Sequence, residues 1–145
     1  MHATGLYFSV VDVPPANLDD SLRTNASGPF LLTQALAERL ADGAKIANLS
    51  CVLGSIASTQ GFGTPTYAMS KAAQNMATVL LASALRERGI AVAALHPGWV
   101  QTDMGGAGAQ ITPEESVRGL LKVIDGLRID DSGHFLDYRG KPVPW

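Results

Sequence analysis

The sequence predicts an α/β fold on a parallel sheet, and three observations carry that expectation. Helical stretches alternate with short apolar runs in the order helix, strand, helix, strand, helix, strand, an order met by right-handed crossovers between parallel strands. The run "IAVAALH" (90–96) is continuously apolar rather than alternating, as strands covered on both faces are. Glycine and proline bound the segments, Gly89 and Pro97 closing that run on either side.

The elements follow in order. "PPA" (14–16) interrupts the first apolar stretch, and Asn17 is placed to cap a helix with Asp19 and Asp20 in its first turn. Leu22, Phe30, Leu31, Ala35, Leu36 and Leu40 recur at near-helical spacing, predicting a helix over 17–41 that Gly28-Pro29 bends or interrupts. "DGAK" ends it, and "AKIANLS" (44–50) reads as a short buried strand. After the loop "CVLGSIASTQGFGTP" comes a helix over 67–88, closed by Gly89. Its Ala73, Met76, Ala77 and Leu80 face is expected to be mostly core. The strand at 90–96 leads into the loop "PGWVQTDMGGAGAQI". The next helix opens with Thr112 as cap, Pro113 at its first position and Glu115 completing a capping box. "GHFLDY" (133–138) is the last strand.

With 145 residues, 46% hydrophobic and 17% charged, the chain (1–145) is expected to form a single globular domain. A formal net charge of −2 without a basic cluster argues against nucleic acid as partner. A lone cysteine, Cys51, excludes an internal disulfide and a thiolate metal cluster. The start has no signal-peptide pattern, and no apolar run approaches the roughly 20 residues that span a bilayer. A cytoplasmic protein with no membrane contact and no metal is the expectation.

The chemistry centres on "TYAMSKAAQNMA" (66–77). Residues four apart share a helical face, so Lys71 lies beside the Tyr67 ring. A free phenol has a pKa of about 10, and a neighbouring ammonium favours the phenolate. An acidified Tyr67 is expected, exchanging protons with a carbonyl or an alcohol. Alone, Y-x-x-x-K is common in helices.

Its surroundings are not. "NLSCVLGSIASTQGFGTPTYAMSKAA", then "VAALHPGWVQTDM", with "TNASGPFLLTQAL" upstream, resemble the short-chain dehydrogenase/reductase family. "LGSIAS" and "SGHFLDYRGKPVPW" resemble its carbonyl-reductase-like branch. The likeness runs from about Leu18 to the C-terminus. It implies a partial Rossmann-like three-layer fold and NADP- or NAD-dependent hydride transfer on a small carbonyl or alcohol, in a chain that is a possible homo-oligomer. By the same likeness Tyr67 is the proton donor/acceptor, Lys71 its tuner and ribose ligand, and Asn25 the holder of a relay water. Pro97, Gly98, Val100 and Thr102 lie against the nicotinamide, with Thr102 at its carboxamide.

The sequence departs from the family in two places. The serine that orients substrate would fall on Cys51, whose thiol is a weaker donor than a hydroxyl. Ser50 should face the wrong way, because strand side chains alternate. Ser55 is therefore the favoured stand-in, with Cys51 the positional equivalent. Second, the Gly-rich turn of the family's N-terminal βαβ unit has no counterpart. "GGAGAQ" (105–110) departs from that fingerprint at Ile111, and "HATG" at the start resembles a worn N-N-A-G segment. Poor dinucleotide affinity is expected. The rival reading is a non-catalytic truncated form or an interaction module, exposing the edge of the 44–50 strand. His96 is expected to be structural, and Trp99 and Met104 flank the P-G turn where an apolar pocket would lie.

Overall fold

The computed structural model describes residues 9–145, so the "HATG" segment lies outside the described residues. The first helical stretch is α1 (Pro15–Leu22), a five-residue π turn (Arg23–Ser27) and α2 (Gly28–Leu36), followed by a 3₁₀ turn (Ala37–Arg39). Helix α1 starts two residues before Asn17, because Pro15 brings a helix-ready φ to the first position. Gly28-Pro29 does interrupt the helix, but by widening rather than bending it. Pro29 has no N–H to offer the carbonyl four residues back, at Asn25, and the Gly28 N–H reaches five back to Arg23 O.

Strand β1 (Lys45–Leu49), helix α3 (Pro65–Leu85), strand β2 (Ala91–His96), helix α4 (Pro113–Gly126) and strand β3 (Phe135–Asp137) complete the order. The sheet runs β1-β2-β3, parallel throughout, with Lys45 opposite Ala91, Leu49 opposite Leu95, and His96 opposite Asp137. Gly89 caps α3 through a short 3₁₀ extension at φ +66°, and Thr112 Oγ1 accepts the Glu115 N–H at the start of α4.

Strand β2 is buried on both faces, which builds two cores. Ala93 and Leu95 pack with Ile111, Leu120, Leu127 and Tyr138 on the α4 side. Ile90 and Val92 pack with Leu81, Ala82 and Leu85 on the α3 side. Helix, sheet, helix is the expected three-layer Rossmann-like arrangement. The face of α3 was misjudged, since Met76 and Leu80 are 60% and 56% exposed. The buried face is polar in its first half (Ser70, Lys71, Gln74, Asn75, Thr78) and apolar only beyond Leu81. That polar half sits over the carboxyl end of β1, where strand ends and loops leave backbone and side-chain groups to satisfy.

Candidate active site

Helix α3 opens with Pro65 and delivers Tyr67 in its first turn, half-buried. One turn on, Lys71 is only 9% exposed, and its Nζ lies 5.7 Å from the Tyr67 ring centroid. Phenol and ammonium share one face, as the spacing requires. The loop after β1 reaches them because Gly54 has no side chain. A Cβ there would stand 2.8 Å from both Lys71 Cβ and Lys71 C.

The ammonium does not acidify the phenol. Lys71 Nζ donates to Leu49 O at 2.8 Å and to Gln74 Oε1 at 3.0 Å. Burial lowers the Lys71 pKa, while the charge of Cys51 opposes that shift. Burial pushes Tyr67 above the ordinary phenol value, and the charge and side-chain hydrogen bond of Cys51 add to that rise. The expectation of an acidified Tyr67 is not met: burial and Cys51 push its pKa up rather than down.

Cys51, not Ser55, meets the phenol. Ser55 is fully buried; its hydroxyl accepts the Ser58 N–H at 3.1 Å and donates to Ser58 Oγ at 2.9 Å. It closes a turn, and its preference as stand-in is corrected. Ser50 faces away as strand alternation demands, donating to Asn75 Oδ1 at 2.6 Å. Asn25 sits in the π turn and donates from Nδ2 to Ser70 Oγ at 2.9 Å; Ser70 in turn donates to Tyr67 O at 2.8 Å. The widened turn thus ties Asn25 to the Tyr67 backbone. Ser70 and Gln74 escaped sequence reasoning, though both lie one turn from Tyr67 or Lys71 on the same face.

Beyond β2, Gly98 turns at φ +87°, and a Cβ there would come within 2.6 Å of Ile111 Cδ1. Ser116 Oγ, buried at the start of α4, donates to Pro97 O at 2.7 Å. Val100 bridges to Ile111, and Trp99 Nε1 donates to Gly105 O at 2.8 Å, folding the loop on itself. Trp99 and Met104 are 53% and 67% exposed. Thr102 is exposed, its hydroxyl accepting the Gly105 N–H at 3.2 Å. Pro97, Gly98, Val100 and Thr102 stand at the same end of the sheet as Cys51, because β1 and β2 are parallel. A cleft of about 360 Å³ beside the 52–64 loop stops short of Tyr67. His96 keeps its Nδ1 buried and without a partner among the described residues, and burial lowers its pKa against the pull of Asp137.

Among the described residues no helix is long and apolar enough to cross a membrane, and no cluster of metal-binding side chains forms. A phenol, an ammonium and a hydroxyl suit a ribose diol and a carboxamide. Among the described residues no strand passes through a tight Gly-rich turn straight into a helix N-terminus, so nothing there fits a dinucleotide's diphosphate.

The family model described as enoyl-(acyl carrier protein) reductase matches residues 1–119. C-signal of Myxococcus xanthus is 44% identical over 144 residues, covering 98% of this chain and 87% of that protein. The 1-hydroxy-2-glutathionyl-2-methyl-3-butene dehydrogenase of a Rhodococcus species is 34% identical over 128 residues, 86% of this chain and 57% of its own length. Among solved structures, the NADPH-bound carbonyl reductase from chicken fatty liver superposes at TM-score 0.88 with 36% identity, covering 99% of this chain and 64% of that one. The carbonyl reductase Sniffer of D. melanogaster gives 0.88 at 34% identity, covering 94% and 60%. The chain thus spans about three-fifths of the dehydrogenase and reductases that it matches.

Proposed function

The chain belongs to the short-chain dehydrogenase/reductase family, and we propose that it works as an NAD(P)-dependent oxidoreductase, reducing a small carbonyl compound. One observation carries this reading: Tyr67 and Lys71 share one helix face, with Nζ 5.7 Å from the ring centroid and Cys51 acting on the phenol. An alkoxide is a stronger base than a phenolate, so a phenol held protonated still gives its proton to an oxygen gaining charge. That is the proton the carbonyl oxygen needs as hydride arrives at its carbon.

In this reading NADPH or NADH, when bound, supplies the hydride. Tyr67 donates its proton to the substrate oxygen, and Cys51 holds that oxygen in place. Lys71, buried and tied to Leu49 O and Gln74 Oε1, would hold the nicotinamide ribose with its remaining N–H. Thr102 would serve the carboxamide, and Pro97, Gly98 and Val100 would form the wall around it. Asn25, fixed through Ser70, would hold a water through which solvent returns a proton to the phenol. The test is reduction of an aromatic ketone by the purified chain, followed by NADPH absorbance. Tyr67→Phe should lower turnover by about 10²- to 10⁴-fold. Equal turnover in the two proteins refutes the assignment.

A second reading, a non-catalytic interaction module, has its own support. Strand β1 pairs on one side only among the described residues, and its Leu49 and the neighbouring Leu32 are 54% and 61% exposed. The relative of which the chain covers 87% is named C-signal rather than for a reaction. Self-association by light scattering, abolished by Ala47→Pro and without ketone reduction, favours this reading.

A further inference from the structure

A cleft of about 600 Å³ lies between α4 and the end of β3, on the sheet face away from Tyr67. Its floor is apolar: Val123, Leu136 and Tyr138. Gly119 creates the close approach, since a Cβ there would stand 2.4 Å from Tyr138 O. The tight turn that follows, with Gly140 at φ +79°, sets Arg139 on the rim.

Arg139 is prearranged. Its backbone N–H donates to Asp137 Oδ1 at 2.8 Å, and its Nε donates to Tyr138 Oη at 2.8 Å. The guanidinium carbon lies 4.9 Å from the Tyr138 ring centroid. Both terminal nitrogens are left without a protein partner among the described residues. Arg118 and Lys122, one turn apart on α4, line the same cleft. The ion pair formed among the described residues, Arg88 with Asp42, involves none of these cations. Two carboxylates also line it, Glu115 and Asp131, and Asp131 Oδ2 already accepts the Arg128 N–H at 2.9 Å. Three cations thus face two carboxylates, one of them engaged, above an apolar floor.

We propose that this cleft binds a small amphiphilic carboxylate. Its aliphatic or aromatic body lies on Val123, Leu136 and Tyr138, and its carboxylate takes the paired Nη groups of Arg139 within reach of Arg118 and Lys122. A guanidinium whose Nε is already fixed loses little freedom on accepting a planar two-oxygen anion, which favours a carboxylate. The site is independent of the oxidoreductase reading.

Calorimetry of the whole chain with laurate, below its micellar range, tests this. Saturable binding is expected, with dodecanol (tail alone) and acetate (head alone) at least about tenfold weaker. Arg139→Ala, and Arg118→Glu with Lys122→Glu, should each weaken laurate by about tenfold or more. These side chains are exposed, so circular dichroism should stay unchanged. Leu32→Gln, in the separate groove between α2 and β1, should leave laurate affinity as it was. No saturable binding, equal binding of dodecanol, indifference to Arg139→Ala, or loss in Leu32→Gln overturns the proposal.

Discussion

At Tyr67, two opposing effects meet and their sizes decide the outcome. An ammonium within about 4–6 Å can lower a phenol's pKa by roughly 1–3 units, while burial can raise it by up to about 3–5. Here Lys71 is itself buried and donates to Leu49 O and Gln74 Oε1, so burial wins. Cys51 then sets how well a substrate oxygen is held. Cys51→Ser replaces a weak donor by a strong one and should raise turnover roughly two- to tenfold. Ser55→Ala should leave turnover unchanged and cost about 1–3 kcal/mol of stability, measured by urea unfolding, because it empties a buried turn. Spacing brought Tyr67 and Lys71 together in the sequence, whereas Asn25 came only from the family resemblance. The sequence could not make legible which of two sulfur or oxygen groups meets the phenol. Ser55 and Cys51 differ in loop geometry, set by the contact of Gly54 with α3, and a linear pattern carries no trace of that contact.

At the scale of elements, the site rests on two close fits. The loop after β1 touches α3 at Gly54, and the π turn holds Asn25 against Ser70. Gly54→Ala places a methyl at 2.8 Å from Lys71 Cβ and should cost about 1–3 kcal/mol, with Lys71 displaced and activity falling in parallel. Urea unfolding and ketone turnover together check this. Strand β2 was readable as an apolar run bounded by Gly89 and Pro97, and β1 as a short apolar run after the break at "DGAK". The π turn was readable only as a disturbance at Gly28-Pro29, since the lost N–H of Pro29 predicts a break without saying whether the helix bends or widens. The polar face of α3 was missed because Ala and Met make one side look apolar, while hydrogen bonds satisfy the other: Asn48 Nδ2 to Thr78 Oγ1 at 2.9 Å, Ser50 to Asn75 at 2.6 Å.

Across the whole molecule, a three-stranded sheet between α3 and α4 leaves its two edges unlike. The outer edge of β3 is covered by the closing residues, Val143 N–H donating to Phe135 O at 2.8 Å. The outer edge of β1 has no strand partner among the described residues. With no diphosphate cradle among them, NADPH should bind this chain more weakly than the micromolar range seen for many enzyme substrates, by calorimetry. Folding stability should also carry a signature of His96. Burial depresses its pKa below the ordinary 6.5, so between the two values the unfolded chain holds more protons than the folded one. Stability is therefore complete above 6.5 and lost as pH falls toward the folded value. Melting temperatures from about pH 5 to pH 8 should show this slope, and His96→Gln should flatten it.

The central claim is that the Tyr67 phenol stays protonated and acts as a donor. Carbon-13 labelling of the tyrosine rings, with Tyr67 identified among the three tyrosines by Tyr67→Phe, allows its ionisation to be followed directly. The account predicts a midpoint above the free-tyrosine value of about 10, falling when Cys51 is replaced by alanine. A midpoint below that value would contradict it.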